Sequence, residues 1–128
     1  MRIRLCQLLQ IDSQIEKAQG VQREIQKCYQ VHRQLSTQLS ENENVMEDLG
    51  FLNESNTIYK LVGPVLIKQD LSEAKETVSK RINYINSEIK RQDDRLKELE
   101  KQQDGYREQI AKYQQKLQQE QAKAALKA

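Results

Sequence analysis

Residues Asn56 to Lys68 read Asn-Thr-Ile-Tyr-Lys-Leu-Val-Gly-Pro-Val-Leu-Ile-Lys, a short apolar run broken once by Gly63-Pro64. β-Branched and aromatic residues in runs of this length favour strands, and a Gly-Pro pair between them favours a turn. The reading is two strands, Thr57 to Val62 and Val65 to Lys68, around a two-residue loop. That loop sets Val62 against Val65, Leu61 against Leu66 and Tyr59 against Lys68. Ile58, Val62, Val65 and Ile67 then share one face, and Tyr59, Leu61 and Leu66 the other. A lone hairpin is marginal in water, and one that is apolar on both faces requires cover above and below. Its own helices can cover one face only. Hairpins of several subunits pairing edge to edge would supply the rest and remove the open strand edges. The expected assembly residues are Ile58, Tyr59, Leu61, Val62, Gly63, Pro64, Val65, Leu66 and Ile67.

On either side of this segment lie long stretches rich in Gln, Glu, Lys, Leu and Ile, the composition of extended helices. In the first, Leu8, Ile11, Ile15, Ala18, Gln22 and Ile25 follow a 3-4 rhythm. It resumes at Cys28, His32, Leu35, Leu39, Asn42, Met46 and Leu49 after an extra three-residue step, which predicts a local overwinding. Gly50, Phe51 and Leu52 close this arm, and Asn53-Glu54-Ser55-Asn56 is a turn-forming cluster. Asp70 followed by Glu73 is a helix-start signal for the second arm. Its apolar positions begin irregularly at Leu71, Ala74 and Val78. They then keep a strict heptad through Ile82, Ile85, Ile89, Gln92, Leu96, Leu99, Gln103, Tyr106, Ile110, Tyr113 and Leu117. Glu76 with Lys80, Asp93 with Lys97 and Glu108 with Lys112 are spaced for ion pairs on the wet faces, and Gly105 marks a flexible point.

The fold expected is thus dominated by α-helix: a long antiparallel two-helix coiled coil joined by one β-hairpin that pairs with the hairpins of other subunits. The segments are residues 1–52 (first helix), 53–69 (hairpin) and 70–128 (second helix and tail). At ~1.5 Å per residue the arms would reach about 70 Å. Folding back brings Ile3, Leu5, Leu8, Leu9 and Ile11 near Ile110, Tyr113, Leu117 and Leu126. This is more apolar surface than one seam can cover. An adaptable apolar surface rimmed by Gln, Lys and Arg suits weak gripping of non-native chains.

Other classes of function find little footing. Twenty-one basic and 19 acidic residues are interleaved, with no one-sided basic stretch for neutralising phosphates, so nucleic acid is not expected as a ligand. The apolar start Ile3 to Leu9 is short and interrupted, which argues against a secretory or membrane segment and for a soluble, cytoplasmic (or also nuclear) protein. Cys6 and Cys28, 22 residues apart on one helix, stand roughly 33 Å apart and cannot join; they read as reduced, buried or half-buried thiols. The single His32 sits at a seam position, and spacing supplies no Asp, Ser or Cys beside it for catalysis. No phosphate loop, metal spacing or nucleophile motif is present, so no enzyme activity, metal or cofactor is expected.

The block Tyr59-Lys60-Leu61-Val62-Gly63-Pro64-Val65-Leu66-Ile67-Lys68-Gln69-Asp70-Leu71 resembles the beta-type subunits of the prefoldin family. Glu73-Ala74, Thr77-Val78, Lys80-Arg81-Ile82, Tyr84-Ile85 and Glu88-Ile89-Lys90 continue the likeness, which spans about residues 35 to 120. The resemblance implies a heterohexamer of alpha-type and beta-type subunits joined through hairpins in a double barrel. It implies a co-chaperone that needs no ATP, binding non-native chains such as actin and tubulin at its coiled-coil tips and passing them to the cytosolic chaperonin. The first ~30 residues depart most from the family pattern. The rival expectation is a structural coiled-coil tether or dimerisation module, in which the hairpin only reverses the chain.

Overall fold

The computed structural model describes residues 2–127, with every side chain among them except that of Ile3. Four elements follow one another: α1 (Arg2–Gly50), β1 (Ile58–Val62), β2 (Val65–Gln69) and α2 (Leu71–Lys127). Helices of 49 and 57 residues with so few apolar side chains are held by packing one stripe against a partner helix.

The chain divides into two units, one made of the residues up to Tyr29 with those from Asp94 onward, the other of Gln30–Asp93. In the first, Val21, Ile25, Cys28 and Leu99 are buried together, with Leu96 and Tyr106 against them. An ion pair from Arg95 to Glu24 at 2.9 Å, and a hydrogen bond from Gln7 Nε2 to Glu120 Oε1 at 3.0 Å, show α1 and α2 running antiparallel here. In the second, Leu49, Ala74 and Val78 form the core beneath Met46, Leu52, Leu71, Ile82 and the hairpin's Ile58. A polar contact of 3.2 Å between His32 Nε2 and Asp93 Oδ1 joins the helices there.

The seam of α1 differs from the expected one. Val21 is buried at 8% exposure and the neighbouring Gln22 is exposed. With Val21 in place, Ile11, Gln14, Ala18, Val21, Ile25, Cys28, His32, Leu35, Leu39, Asn42, Met46 and Leu49 form one unbroken 3-4 series of buried or half-buried positions. No phase slip exists. Gln7 and Gln14 carry the series further out, and because they are polar, Leu8 and Ile15 drew the reading one residue off register. Leu8 is in fact exposed. Gln22 still reaches α2, where its side chain accepts a hydrogen bond from Gln103 Nε2. In α2 every expected seam position from Leu71 to Leu117 is buried or half-buried, with the irregular start explained by two successive four-residue steps, Ala74 to Val78 to Ile82.

Smaller corrections concern pairs and thiols. Glu76 and Lys80 pair at 3.2 Å as their spacing predicts, whereas Asp93 turns to His32 on α1 instead of Lys97. Cys28 is buried, but Cys6 is exposed. Gly105 lies within α2, where an added Cβ would meet open space.

Between the helices, α1 tightens as it ends: Phe51 N donates to Asp48 O and Leu52 N to Leu49 O, each at 3.2 Å. Asn53 Oδ1 then accepts from Ser55 N at 3.0 Å, and Asn56 Oδ1 accepts from Asn53 N at 2.9 Å. These side chains satisfy the backbone of the turn locally. At the other end the Asp70 carbonyl accepts from Ala74 N at 2.9 Å, which makes Asp70 the first capping residue of α2.

Candidate functional site

The hairpin register is the one the two-residue loop demands. Val62 opposes Val65, Leu61 opposes Leu66, Lys60 opposes Ile67, Tyr59 opposes Lys68 and Ile58 opposes Gln69. The strands shift by one residue from expectation: Thr57 lies outside β1, and Gln69 joins β2 because Ile58 finds it as partner. Gly63 has φ of +56°, and the ring of Pro64 holds its own φ near −65°. A positive then a negative φ is the pattern of a type II′ turn, whose twist matches that of the flanking strands.

The pairing puts Ile58, Lys60, Val62, Val65, Ile67 and Gln69 on one face, and Tyr59, Leu61, Leu66 and Lys68 on the other. Ile58 alone among them packs on the helix core. Leu61 is 69% exposed, Leu66 62% and Tyr59 58%, while Val62, Val65 and Ile67 on the opposite face stand about half exposed. The chain's own helices cover less than the one face they could at most have covered: the helix ends reach only the base of the strands, at Ile58. Burying six such side chains the rest of the way is worth on the order of 5–10 kcal/mol. That exceeds anything a solitary two-stranded ribbon contributes.

A second exposed apolar surface lies at the outer end of α1. Leu5 lies about one helical turn before Leu8 and Leu9, and the three are 61%, 45% and 60% exposed, while Leu126 near the end of α2 is 88% exposed. Ile11 is buried and serves the seam instead of the surface, and Ile110, Tyr113 and Leu117 are half-buried seam residues of α2. The side chain of Ile3 lies outside those described. Gln7 and Gln14 turn their side-chain carbonyls into this outer seam, so it is less apolar than the stretch around Leu99.

One cluster has the composition of a catalytic triad, although spacing did not predict it. Ser36 Oγ lies 3.4 Å from His32 Nδ1, and Asp93 Oδ1 3.2 Å from His32 Nε2. The His32 and Asp93 side chains are 39% and 50% exposed on an open helix surface. Water there screens charge too well for the electrostatic stabilisation that acyl transfer requires. The trio acts as a clip between helices. Among the described residues no cluster of His, Cys, Asp and Glu could hold a metal ion, and no helix is long and apolar enough to cross a membrane.

The model of the family described as "Prefoldin subunit" matches residues 12–124. The chain belongs to the prefoldin family. It is similar to prefoldin subunit 6 of Mus musculus, 44% identical over 115 residues that cover 90% of this chain and 91% of that protein. Prefoldin subunit 6 of Arabidopsis thaliana is 48% identical over 98 residues, 77% of this chain and 76% of that one. The crystal structure of the prefoldin beta subunit from Thermococcus strain KS-1 shares the fold, with a TM-score of 0.74 at 18% identity over 79% of this chain and 89% of that one. The prefoldin likeness thus extends further upstream than the hairpin block and its flanks, leaving the first 11 residues outside the family match. Prefoldin subunits are non-enzymatic co-chaperones that assemble with one another, so this chain is a co-chaperone subunit and not an enzyme.

Proposed function

We propose that this chain is a beta-type subunit of a hexameric, ATP-independent prefoldin, working in the cytoplasm and open to the nucleus. In this reading the hairpin completes a barrel with alpha-type and other beta-type subunits. Non-native polypeptides such as actin and tubulin are held at the outer helix ends and delivered to the cytosolic chaperonin. The observation that carries the proposal is the hairpin: regular in register, apolar on both faces and uncovered beyond Ile58. Such a ribbon is stable when its edges and faces are shared. The leucines at positions 5, 8 and 9 supply apolar surface for capture. Many weak contacts from several subunits, rather than one tight site, would hold the client through raised effective concentration.

Leu61→Asp tests the assembly half. A carboxylate placed in a buried barrel without a partner costs several kcal/mol or more, so the variant co-expressed with the other subunits is expected to be absent from the purified hexamer. Recovery of the variant at wild-type stoichiometry would refute the assignment.

A further inference from the structure

The outer part of α1 carries two interleaved stripes that share half of their residues. The one turned to α2 is Gln7, Ile11, Gln14, Ala18, Val21 and Ile25, all buried or half-buried. The other is Leu8, Ile11, Ile15, Ala18, Gln22 and Ile25, with the same alternation of three- and four-residue steps. Ile11, Ala18 and Ile25 serve both. Exchanging positions 7, 14 and 21 for 8, 15 and 22 moves half of the seam by one residue, which a rotation of the helix by about 50° achieves at 3.6 residues per turn.

The observed setting leaves groups unsatisfied on both sides of its boundary. Among the described residues, nothing donates a hydrogen bond to the buried side-chain carbonyls of Gln7 and Gln14, while Leu8 is exposed and Ile15 only half-buried. A buried acceptor without a donor is unfavourable, and so is an aliphatic side chain left in water. Rotation would return both amides to water and enclose Leu8 and Ile15. Gln22 would enter the seam beside a group it already holds, since it accepts a hydrogen bond from Gln103 Nε2 and Gln103 is a seam residue of α2. Against the rotation stand Val21, packed with Ile25, Cys28 and Leu99, and the hydrogen bond from Gln7 Nε2 to Glu120 Oε1 at 3.0 Å. The rotated setting also needs a three-residue step between Ile25 and Cys28, an overwinding that confines the motion to residues before Ile25. The opposing contributions are comparable in kind, the condition for two discrete packings separated by little free energy.

We propose that the outer segment of α1 is a two-setting element whose rotation decides how much of the leucine surface is offered. In the displayed setting, the one in this structure, Leu8 stands exposed with Leu5 and Leu9; in the withdrawn setting Leu8 lies in the seam. The consequence for capture rests on the reading of these leucines as the client surface, whereas the rotation itself does not.

The test locks each setting in the co-expressed complex. Gln7→Leu with Gln14→Leu makes the displayed stripe apolar throughout, and Gln22→Leu does the same for the withdrawn one. In each background Leu8→Cys, with Cys6→Ser to remove the neighbouring exposed thiol, is alkylated with N-ethylmaleimide and followed by mass spectrometry, the buried Cys28 serving as the slow reference. Alkylation at position 8 is expected to be about tenfold slower with Gln22→Leu than with the paired substitutions, and equal rates would overturn the proposal. A second reading needs no cysteine: the Ile15 methyl signal of the isotope-labelled subunit should show relaxation dispersion in the wild-type complex and lose it in both locked ones. A flat profile in the wild type, or dispersion that survives both locks, would also overturn the proposal. Different alkylation rates with equal suppression of aggregation by the two locked complexes would instead remove the outer leucines from capture and leave the two settings standing.

Discussion

Among the described residues, Gly63 is the one with a positive φ. Its φ of +56° is a conformation that an L side chain adopts at a cost of roughly 1–2 kcal/mol. An added Cβ there meets no atom within 4 Å, so the cost of Gly63→Ala is one of conformation and not of crowding. In the assembled complex the variant should lose about 1–2 kcal/mol per subunit in urea unfolding. An unchanged midpoint would mean that the turn tolerates a second geometry. The side chains next to it matter for another reason. Leu61 and Leu66 oppose each other and are both more than 60% exposed, so their stabilising potential is latent in the single chain and realised only by a partner.

At the level of the elements, the hairpin register and the seam of α2 were both legible, because in each the apolar residues themselves mark the positions. Gly63-Pro64 admits one short loop, and isoleucine, leucine and tyrosine occupy most seam positions of α2. The seam of α1 was misread for the opposite reason. Gln7, Gln14, His32 and Asn42 occupy seam positions while Leu5, Leu8 and Leu9 face outward, so hydrophobicity and burial part company there. Likewise no local spacing couples His32 to Asp93, 61 residues later, since only the antiparallel packing of the helices brings them together. The corrected seam predicts a contrast: Leu99→Ala, at a site 3% exposed, should cost about 2–5 kcal/mol in thermal unfolding. Gln22→Ala should stay within about 0.5 kcal/mol, as for other exposed positions. Comparable losses in the two variants would return Gln22 to the seam.

Taken together, the chain spends most of its apolar side chains in three places, namely a seam that holds the helices, a hairpin that its helices leave uncovered, and the leucines of the outer end. Only the first is satisfied within one chain. If the outer end captures clients, a complex lacking residues 1–9 and 118–128 should assemble normally yet lose more than about half of its suppression of aggregation, because weak multivalent contacts fail together. Equal suppression by the truncated and full-length complexes would remove these ends from the mechanism. The hairpin can be examined most directly through the exchange of its backbone amides, residues 58–69, in the isolated chain and in the hexamer. Shared barrels predict near-peptide exchange rates in the lone chain and slowing of at least about a hundredfold on assembly. Strong protection of these amides in a monomer, unchanged by partners, would contradict that account.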